Sequence, residues 1–292
     1  MNPIVPLSLL SVIFLASSAC AEGALKLEDL DRAIAVNANS ADAYYDRGIL
    51  FLKQGDFTRA LADFTQTIKI NPQDTAAYYA RGNAYARQNN FPLALADYNK
   101  VVELDPKDAA AFFNRGLTFN RQGDLDRAIS DYTQAIQINP QYAESYHNRG
   151  LAWDQKGDLK QAVADLTKSI ELSPKLAQSY YNRGICYDKQ GKFIDAINDL
   201  SQAIKLNPDY AEAYTNRGEV YVEMDDPDQA RFDFTVAIEL DPKIAQAYNN
   251  RAIVYVQLKQ YTKALQDLQK AKELGYAVDP EFMAAVKKEV DR

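Results

Sequence analysis

Aromatic, small and aliphatic residues recur along this chain with a spacing of 34 residues. With each unit numbered from 1 and Ala41 as the first residue, seven units fill residues 41–278. Position 4 is aromatic in every unit, position 8 is glycine in six, and position 11 is aromatic again. Spacings of four and three residues place these side chains on one helical face. The pattern therefore predicts a first helix, helix A, in each unit.

A second helix, helix B, is predicted in the later half of each unit. Position 20 is always alanine, position 24 is large, and position 28 is aliphatic in six units. Gly or Asn at position 15 in five units suits a left-handed cap after helix A. The candidate N-caps of helix B are Asp56, Asp124, Asp158 and Asp226. Proline at position 32 of six units predicts where helix B ends.

The recurring glycine inside helix A needs a packing reason, because glycine in a helix costs roughly 0.5–1 kcal/mol relative to alanine. We expect position 8 to admit the facing helix B at its small position 20, so that the two helices approach closely. A fixed period of this length is typical of a repeat array rather than of a compact core. The sequence thus predicts an all-α solenoid of helix-turn-helix units.

The predicted organisation has four parts. Residues 1–21 form a signal peptide, 22–40 a half-repeat that covers the first unit, and 279–292 a C-terminal capping helix. Such caps are expected because each end of an array otherwise exposes an apolar surface. The seven repeats span 41–74, 75–108, 109–142, 143–176, 177–210, 211–244 and 245–278.

Composition narrows the chemistry. The chain carries 33 Lys and Arg against 40 Asp and Glu, a net charge of −7, which argues against nucleic acid as a partner. Two cysteines, Cys20 and Cys186, and a single histidine, His147, cannot build a Cys- or His-based metal site. The glycines follow the repeat rather than a phosphate-binding loop. We therefore predict no enzymatic activity, no catalytic residues, no cofactor and no metal.

Two charged positions repeat in parallel, with arginine at position 7 and aspartate at position 23 of all seven units. Arginine can form a bidentate pair with a carboxylate, so we predict a structural set of ion pairs between helices A and B. The alternative is that these residues bind a ligand. The arginines are Arg47, Arg81, Arg115, Arg149, Arg183, Arg217 and Arg251. The aspartates are Asp63, Asp97, Asp131, Asp165, Asp199, Asp233 and Asp267.

This pattern resembles the tetratricopeptide repeat: aromatic 4, Gly 8, aromatic 11, Ala 20, large 24 and Pro 32, over 238 of 292 residues. The resemblance implies antiparallel helix pairs stacked as a right-handed superhelix, with the helices A facing a concave groove that binds protein partners. Position 7, usually leucine in that family, is arginine here, which gives an Asn-Arg-Gly variant in most units.

Candidate partner-binding residues lie at positions 5 and 6 of helix A, which line the groove in that family. Position 6 carries five successive asparagines: Asn114, Asn148, Asn182, Asn216 and Asn250. They resemble the asparagine ladder of the O-linked N-acetylglucosamine transferase repeats, whose amides clasp a peptide backbone. A carboxamide offers both a donor and an acceptor to a peptide unit. The alternative is that asparagine merely suits this repeat consensus.

Position 5 carries an aromatic stripe in the first five units: Tyr45, Tyr79, Phe113, His147 and Tyr181. Aromatic groove residues are plausible anchors for a partner. The alternatives are partial burial between neighbouring helices and, for His147, an exposed position without a special role.

The first 21 residues contain no charged side chain, and the apolar run from Leu7 to Ala16 precedes Ala19-Cys20-Ala21. This resembles a secretory signal peptide cleaved before Glu22, and it predicts an exported protein, periplasmic or secreted. The run is short for a membrane span, so no integral span is expected in the mature chain. The alternatives are a lipid anchor at Cys20, with an envelope location, and an uncleaved anchor.

The function predicted from these features is a non-enzymatic protein–protein interaction scaffold. Its groove would bind an extended segment of a partner protein in the cell envelope or outside the cell. The alternative is a structural role, as a self-associating array or a fixed subunit of an envelope complex.

Overall fold

The computed structural model of the protein describes residues 26–292, which contain sixteen α-helices and no strand. The predicted signal peptide and the candidate lipid anchor at Cys20 lie outside the described residues. The chain divides into two compact units, one ending at Pro106 and one running from Lys107 to Arg292. The fold class predicted from the sequence, an all-α array of helix-turn-helix units, is confirmed.

The helices alternate between types A and B along both units. The first unit contains α1 (Leu27–Val36), α2 (Ala41–Lys53), α3 (Phe57–Ile70), α4 (Thr75–Arg87) and α5 (Phe91–Leu104). The second unit contains α6 (Ala109–Arg121), α7 (Leu125–Ile138), α8 (Ala143–Gln155), α9 (Leu159–Leu172), α10 (Ala177–Lys189), α11 (Phe193–Leu206), α12 (Ala211–Glu223), α13 (Pro227–Leu240), α14 (Ala245–Gln257), α15 (Tyr261–Glu273) and α16 (Pro280–Val290).

Within each of the two compact units, a helix B packs against the helix A of its own 34-residue repeat and against the helix A of the next repeat. In the first unit α3 contacts α2 and α4, and in the second unit α9 contacts α8 and α10. Successive helices A also touch one another, as α6, α8, α10 and α12 do. Each repeat therefore buries its apolar faces only against its neighbours, as expected of an array.

The turn from helix A to helix B is left-handed at position 15 of every repeat. The predicted glycines and Asn89 adopt positive φ there. Asp225 and Lys259, which were not predicted, also do so, each with φ 57°. The predicted caps are confirmed, since Asp56, Asp124, Asp158 and Asp226 all accept a hydrogen bond from a backbone N–H in the first turn of helix B.

The recurring glycine of helix A is explained by a close contact, although with a different neighbour from the one predicted. A Cβ on Gly218 would lie 2.7 Å from Cε1 of Phe234, the large residue at position 24. A Cβ on Gly150 would meet Leu166 Cγ at 3.0 Å and the carbonyl oxygen of Ala162 at 3.2 Å. The side chain at position 24 is thus the main contact, and the backbone of alanine 20 adds to it in repeats 4 and 5.

Both ends of the array carry the predicted helices. At the amino end, α1 packs on α2 and buries Leu30. At the carboxyl end, the Asp279 side chain accepts a 2.9 Å hydrogen bond from the Glu281 N–H and begins α16. Val286 of α16 is buried in one cluster with Ala252 and Leu268. These helices cover faces that an internal repeat covers with its neighbour.

Candidate functional site

The seven arginines at position 7 each donate two hydrogen bonds to the aspartate at position 23 of the same repeat. The Nε–Oδ2 and Nη2–Oδ1 distances are all between 2.7 and 2.9 Å. All seven aspartates are buried, and the arginine side chains expose only 14 to 21% of their surface. This planar, bidentate geometry fixes helix A against helix B in each repeat.

A third hydrogen bond from the arginine reaches the preceding repeat. In five repeats, Nη1 donates to a hydroxyl at position 25 of the helix B before it, at 2.8 to 3.2 Å. The acceptors are Thr65, Thr133, Thr167, Ser201 and Thr235. Arg47 reaches Asp31 of α1 at 2.8 Å in the same way. Sequence reasoning missed this link, although the recurring hydroxyl at position 25 was a signal for it.

The guanidinium group also stacks on the aromatic ring at position 4 of its own helix. The distance from the guanidinium carbon to the ring centroid is 5.3 to 5.9 Å in all seven repeats. The hydrogen bonds to Asp97 raise the pKa of Arg81 above its usual range, and those to Asp199 do the same for Arg183. The guanidinium groups are thus engaged by side chains of the fold itself, which supports a structural role over a ligand role.

Three successive asparagines at position 6 share one conformation. The Nδ2 atoms of Asn114, Asn148 and Asn182 donate to the backbone carbonyl four residues earlier, at 2.8 to 2.9 Å. That bond holds one end of the carboxamide on its own helix. We call these three residues the asparagine row.

The last two asparagines are turned towards neighbouring side chains instead. Asn216 donates to the hydroxyl of Tyr181 at 2.7 Å, and Asn250 donates to Glu219 Oε1 at 2.6 Å. Five equally spaced asparagines thus give three side chains with the same hydrogen bond, of which Asn148 is buried and the other two half-buried, and two that link adjacent helices A. The difference arises because Tyr181 and Glu219 lie within reach of the following repeat.

An aliphatic row runs beside the asparagine row at position 9, three residues later on the same helix face. Leu117, Leu151 and Ile185 are half-buried there. In the next repeat this position is Glu219, which accepts hydrogen bonds from Gln246 and Asn250. Burial raises the pKa of Glu219, and the charge of Asp188 adds to the shift. The surface thus changes from apolar to anionic at repeat 6.

The aromatic stripe at position 5 packs within the array. The rings of Tyr45 and Phe64 lie 5.9 Å apart, and those of Tyr79 and Tyr98 lie 6.1 Å apart. Tyr181 lies 4.7 Å from Tyr210. These three position-5 tyrosines are half-buried, which matches the alternative of partial burial between helices.

Two members of the stripe are buried, which corrects the predicted groove contacts. Phe113 exposes 7% of its surface and packs on Tyr132 and Tyr142, with ring centroids 5.9 and 4.9 Å away. His147 exposes 1%, so it is neither a groove contact nor an exposed residue. Both residues are buried because Phe113 packs on two tyrosines of its own repeat and His147 packs against Ser179 of the next repeat.

His147 belongs to a buried polar chain. Its Nδ1 lies 2.8 Å from the Ser179 hydroxyl, which lies 3.0 Å from the Ser169 hydroxyl. Its Nε2 is buried without a hydrogen-bond partner among the described residues. Desolvation lowers the pKa of His147 to about 4, so the ring is neutral at pH 7.

Comparisons with known proteins agree with this geometry. Models of the tetratricopeptide repeat match residues 27–75, 45–109, 79–143, 155–191, 187–225, 211–244 and 245–274. The chain therefore belongs to the tetratricopeptide repeat family. No curated protein matches its sequence. Within residues 26–292, none of the helices combines the length and the apolar character needed to cross a membrane.

Solved structures share the fold. A tetratricopeptide repeat protein from Parabacteroides merdae is 21% identical with a TM-score of 0.64, and the match covers 87% of this chain and 99% of that one. YrrB, described as a TPR protein with an unusual peptide-binding site, is 23% identical over 64% of this chain and 97% of its own, with a TM-score of 0.55. MamA is 28% identical over 55% and 93%, with a TM-score of 0.52. Because tetratricopeptide repeats typically form non-enzymatic scaffolds for protein–protein interactions, membership of the family supports a scaffold role for this chain.

The arginine–aspartate pairs predict a large loss of stability for Arg149→Ala. The substitution leaves Asp165 buried and without its cation, and breaking such a pair costs roughly 3–5 kcal/mol. We expect a clear fall in the melting temperature followed by circular dichroism. Lys168→Ala is the control. It removes an exposed partner of Glu171 on α9, the helix that also carries Asp165, and it should change the melting temperature little. An unchanged melting temperature for Arg149→Ala would show that the pairs do not stabilise the array.

His147 predicts a loss of stability in acid. Because its pKa is about 4 in the folded chain and about 6.5 when unfolded, the unfolded state binds the proton first. This contribution is complete above about pH 6.5 and is lost as the pH falls towards 4, by about 3 kcal/mol. His147→Phe replaces the imidazole with the ring that Phe113 carries at position 5 of repeat 3. It should remove the acid-sensitive part of the free energy of unfolding. Denaturant unfolding of both proteins at pH 7 and pH 4.5 measures it, and equal pH dependence would contradict the assignment.

Proposed function

We propose that repeats 3 to 5 bind an extended segment of a partner protein along the asparagine row. The observation that carries this proposal is the shared conformation of three successive carboxamides. Each Nδ2 is held by its own helix, so the side chain is oriented before a partner arrives. Preorganised polar groups lower the entropic cost of binding.

The chemistry offered to the partner is a series of carbonyl acceptors. In Asn148 and Asn182 the amide nitrogen is occupied by the Glu144 and Gln178 carbonyls, while Oδ1 makes no hydrogen bond within the described chain. Asn182 is half-buried, and Asn148 exposes only 7% of its surface, so a partner reaches Asn148 at a narrower opening. An extended peptide has backbone N–H groups that need such acceptors, and they recur whatever its side chains are. The asparagine row can thus hold a backbone with little sequence preference.

Affinity beyond these hydrogen bonds would come from the aliphatic row. Leu117, Leu151 and Ile185 are half-buried, so an apolar partner side chain can cover the surface they still expose. The fold relative YrrB is itself described as having a peptide-binding site, which supports this class of ligand.

Replacing Asn148 and Asn182 together with alanine should weaken binding of a partner protein captured with the purified chain. Each lost hydrogen bond is worth about 1 kcal/mol, so the dissociation constant should rise roughly thirtyfold. Isothermal titration with the captured partner measures the change. Asn216 is left intact because its amide binds Tyr181.

Asn198→Ala is the matched control, since it makes the same chemical change on an exposed site of helix B in repeat 5. It should leave affinity unchanged. If the double variant folds and binds as tightly as this control, the asparagine row does not hold the partner.

We also propose that the protein acts outside the cytoplasm, in the envelope or beyond the cell. This rests on the uncharged apolar amino terminus and the small residues before Glu22. Intact mass measurement of the chain from its native source should give Glu22 as the first residue. An acylated Cys20 would show a lipid anchor instead, and a mature chain that retains residues 1–21 would contradict processing.

A further inference from the structure

We propose that the bound segment adopts a polyproline II conformation, presenting an apolar residue at every third position and then a Lys or Arg one period further along. This rests on the proposed function and names the partner's conformation and residue pattern. The surface concerned runs across α6, α8, α10 and α12 and is formed by the asparagine row, the aliphatic row and Glu219.

The first argument is the spacing of the rows. The helices α6, α8 and α10 contact one another in succession, and helices in contact lie about 8–10 Å apart. Direct hydrogen bonds between neighbouring helices A support this spacing, including His147 to Ser179 and Lys189 to Asp154. A ligand held equally by each repeat must therefore repeat itself over about the same distance.

Polyproline II meets that distance and a strand does not. Polyproline II has three residues per turn and rises about 3.1 Å per residue, so it repeats every ~9.3 Å. A β-strand presents the same side every two residues, which is about 6.6–6.8 Å, and the next multiple is about 13 Å. Neither strand distance matches the rows.

The backbone chemistry agrees with this conformation. A polyproline II segment makes no internal hydrogen bonds, so its N–H groups remain available to the Oδ1 atoms of Asn148 and Asn182. Proline, which has no backbone N–H, fits at the positions where an N–H would face away from the asparagine row. Such a segment is also already extended before it binds, so less conformational entropy is lost.

The second argument is charge complementarity at repeat 6. Where Leu117, Leu151 and Ile185 stand in the preceding repeats, α12 places Glu219. Burial and then the charge of Glu223 raise the pKa of Asp188, and Asp188 in turn acts on Glu219.

Within residues 26–292, no salt bridge joins Asp188, Glu219 or Glu223 to a cation. The nearby Lys189 lowers the pKa of Asp188 through its charge, but its ammonium is bonded to both carboxylate oxygens of Asp154. A cationic side chain from a partner is therefore favoured at this end of the rows. Its expected place is one three-residue period beyond the last apolar residue.

The test uses synthetic fluorescent decapeptides and the purified chain. The first contains Leu-Pro-Ala three times followed by Lys, and the second is its reverse, since the rows do not define a chain direction. The third has the same composition with its leucines at alternating positions. Fluorescence anisotropy should show that one of the first two binds at least tenfold more tightly than the third. Equal binding by the third, or binding by none, would overturn the inference.

Glu219→Gln tests the charged end. It should weaken binding of the preferred peptide severalfold and leave unchanged the binding of a version with Ala in place of Lys. Equal effects on both versions would overturn the charged part of the pattern. If a partner protein still depends on Asn148 and Asn182 while the peptides ignore spacing, the proposed function stands and the three-residue pattern fails. If neither depends on these asparagines, both fail.

Discussion

The pairing of an arginine guanidinium with a buried aspartate is the interaction on which each repeat depends. One side chain crosses from helix A to helix B with two hydrogen bonds, stacks on the aromatic ring of its own helix and, in most repeats, reaches the helix B before it. Removing either charge would leave the other desolvated. The same group thus sets the position of a helix within its repeat and against its neighbour.

This arrangement explains why Asn, Arg and Gly stand next to one another in the chain. Successive helical residues point about 100° apart, so three consecutive side chains face three different neighbours. In repeat 4, Asn148 bonds the backbone of its own helix and exposes 7% of its surface, Arg149 reaches Asp165, and Gly150 admits Leu166. The candidate binding residue is therefore held between two packing residues that restrict its backbone. A rigid surface of this kind suits a ligand recognised by its backbone.

Buried polar groups distinguish one repeat from another. Ser169, Ser179 and His147 form a hydrogen-bonded chain, and no other repeat carries this combination of residues at the equivalent positions. A neutral histidine there leaves the packing intact at pH 7, since its pKa lies well below that value. The surface also changes along the array, from aliphatic side chains in repeats 3 to 5 to Glu219 in repeat 6.

The sequence by itself determined the repeat length, the two helices of each unit, the caps such as Asp56 and the residue types of the Arg–Asp pairs. These follow from local periodicity and turn chemistry, which a 34-residue period repeats seven times. Only the tertiary structure decided which side chains remain accessible. Phe113 and His147 share a position with the half-buried Tyr45, yet both are buried, Phe113 by tyrosines elsewhere in its repeat and His147 beside Ser179 of the next repeat. Asn216 has the spacing of Asn182, yet Tyr181 redirects its amide. Exposure and hydrogen-bond partners depend on residues about 34 positions away, and a pattern read within one repeat does not contain them.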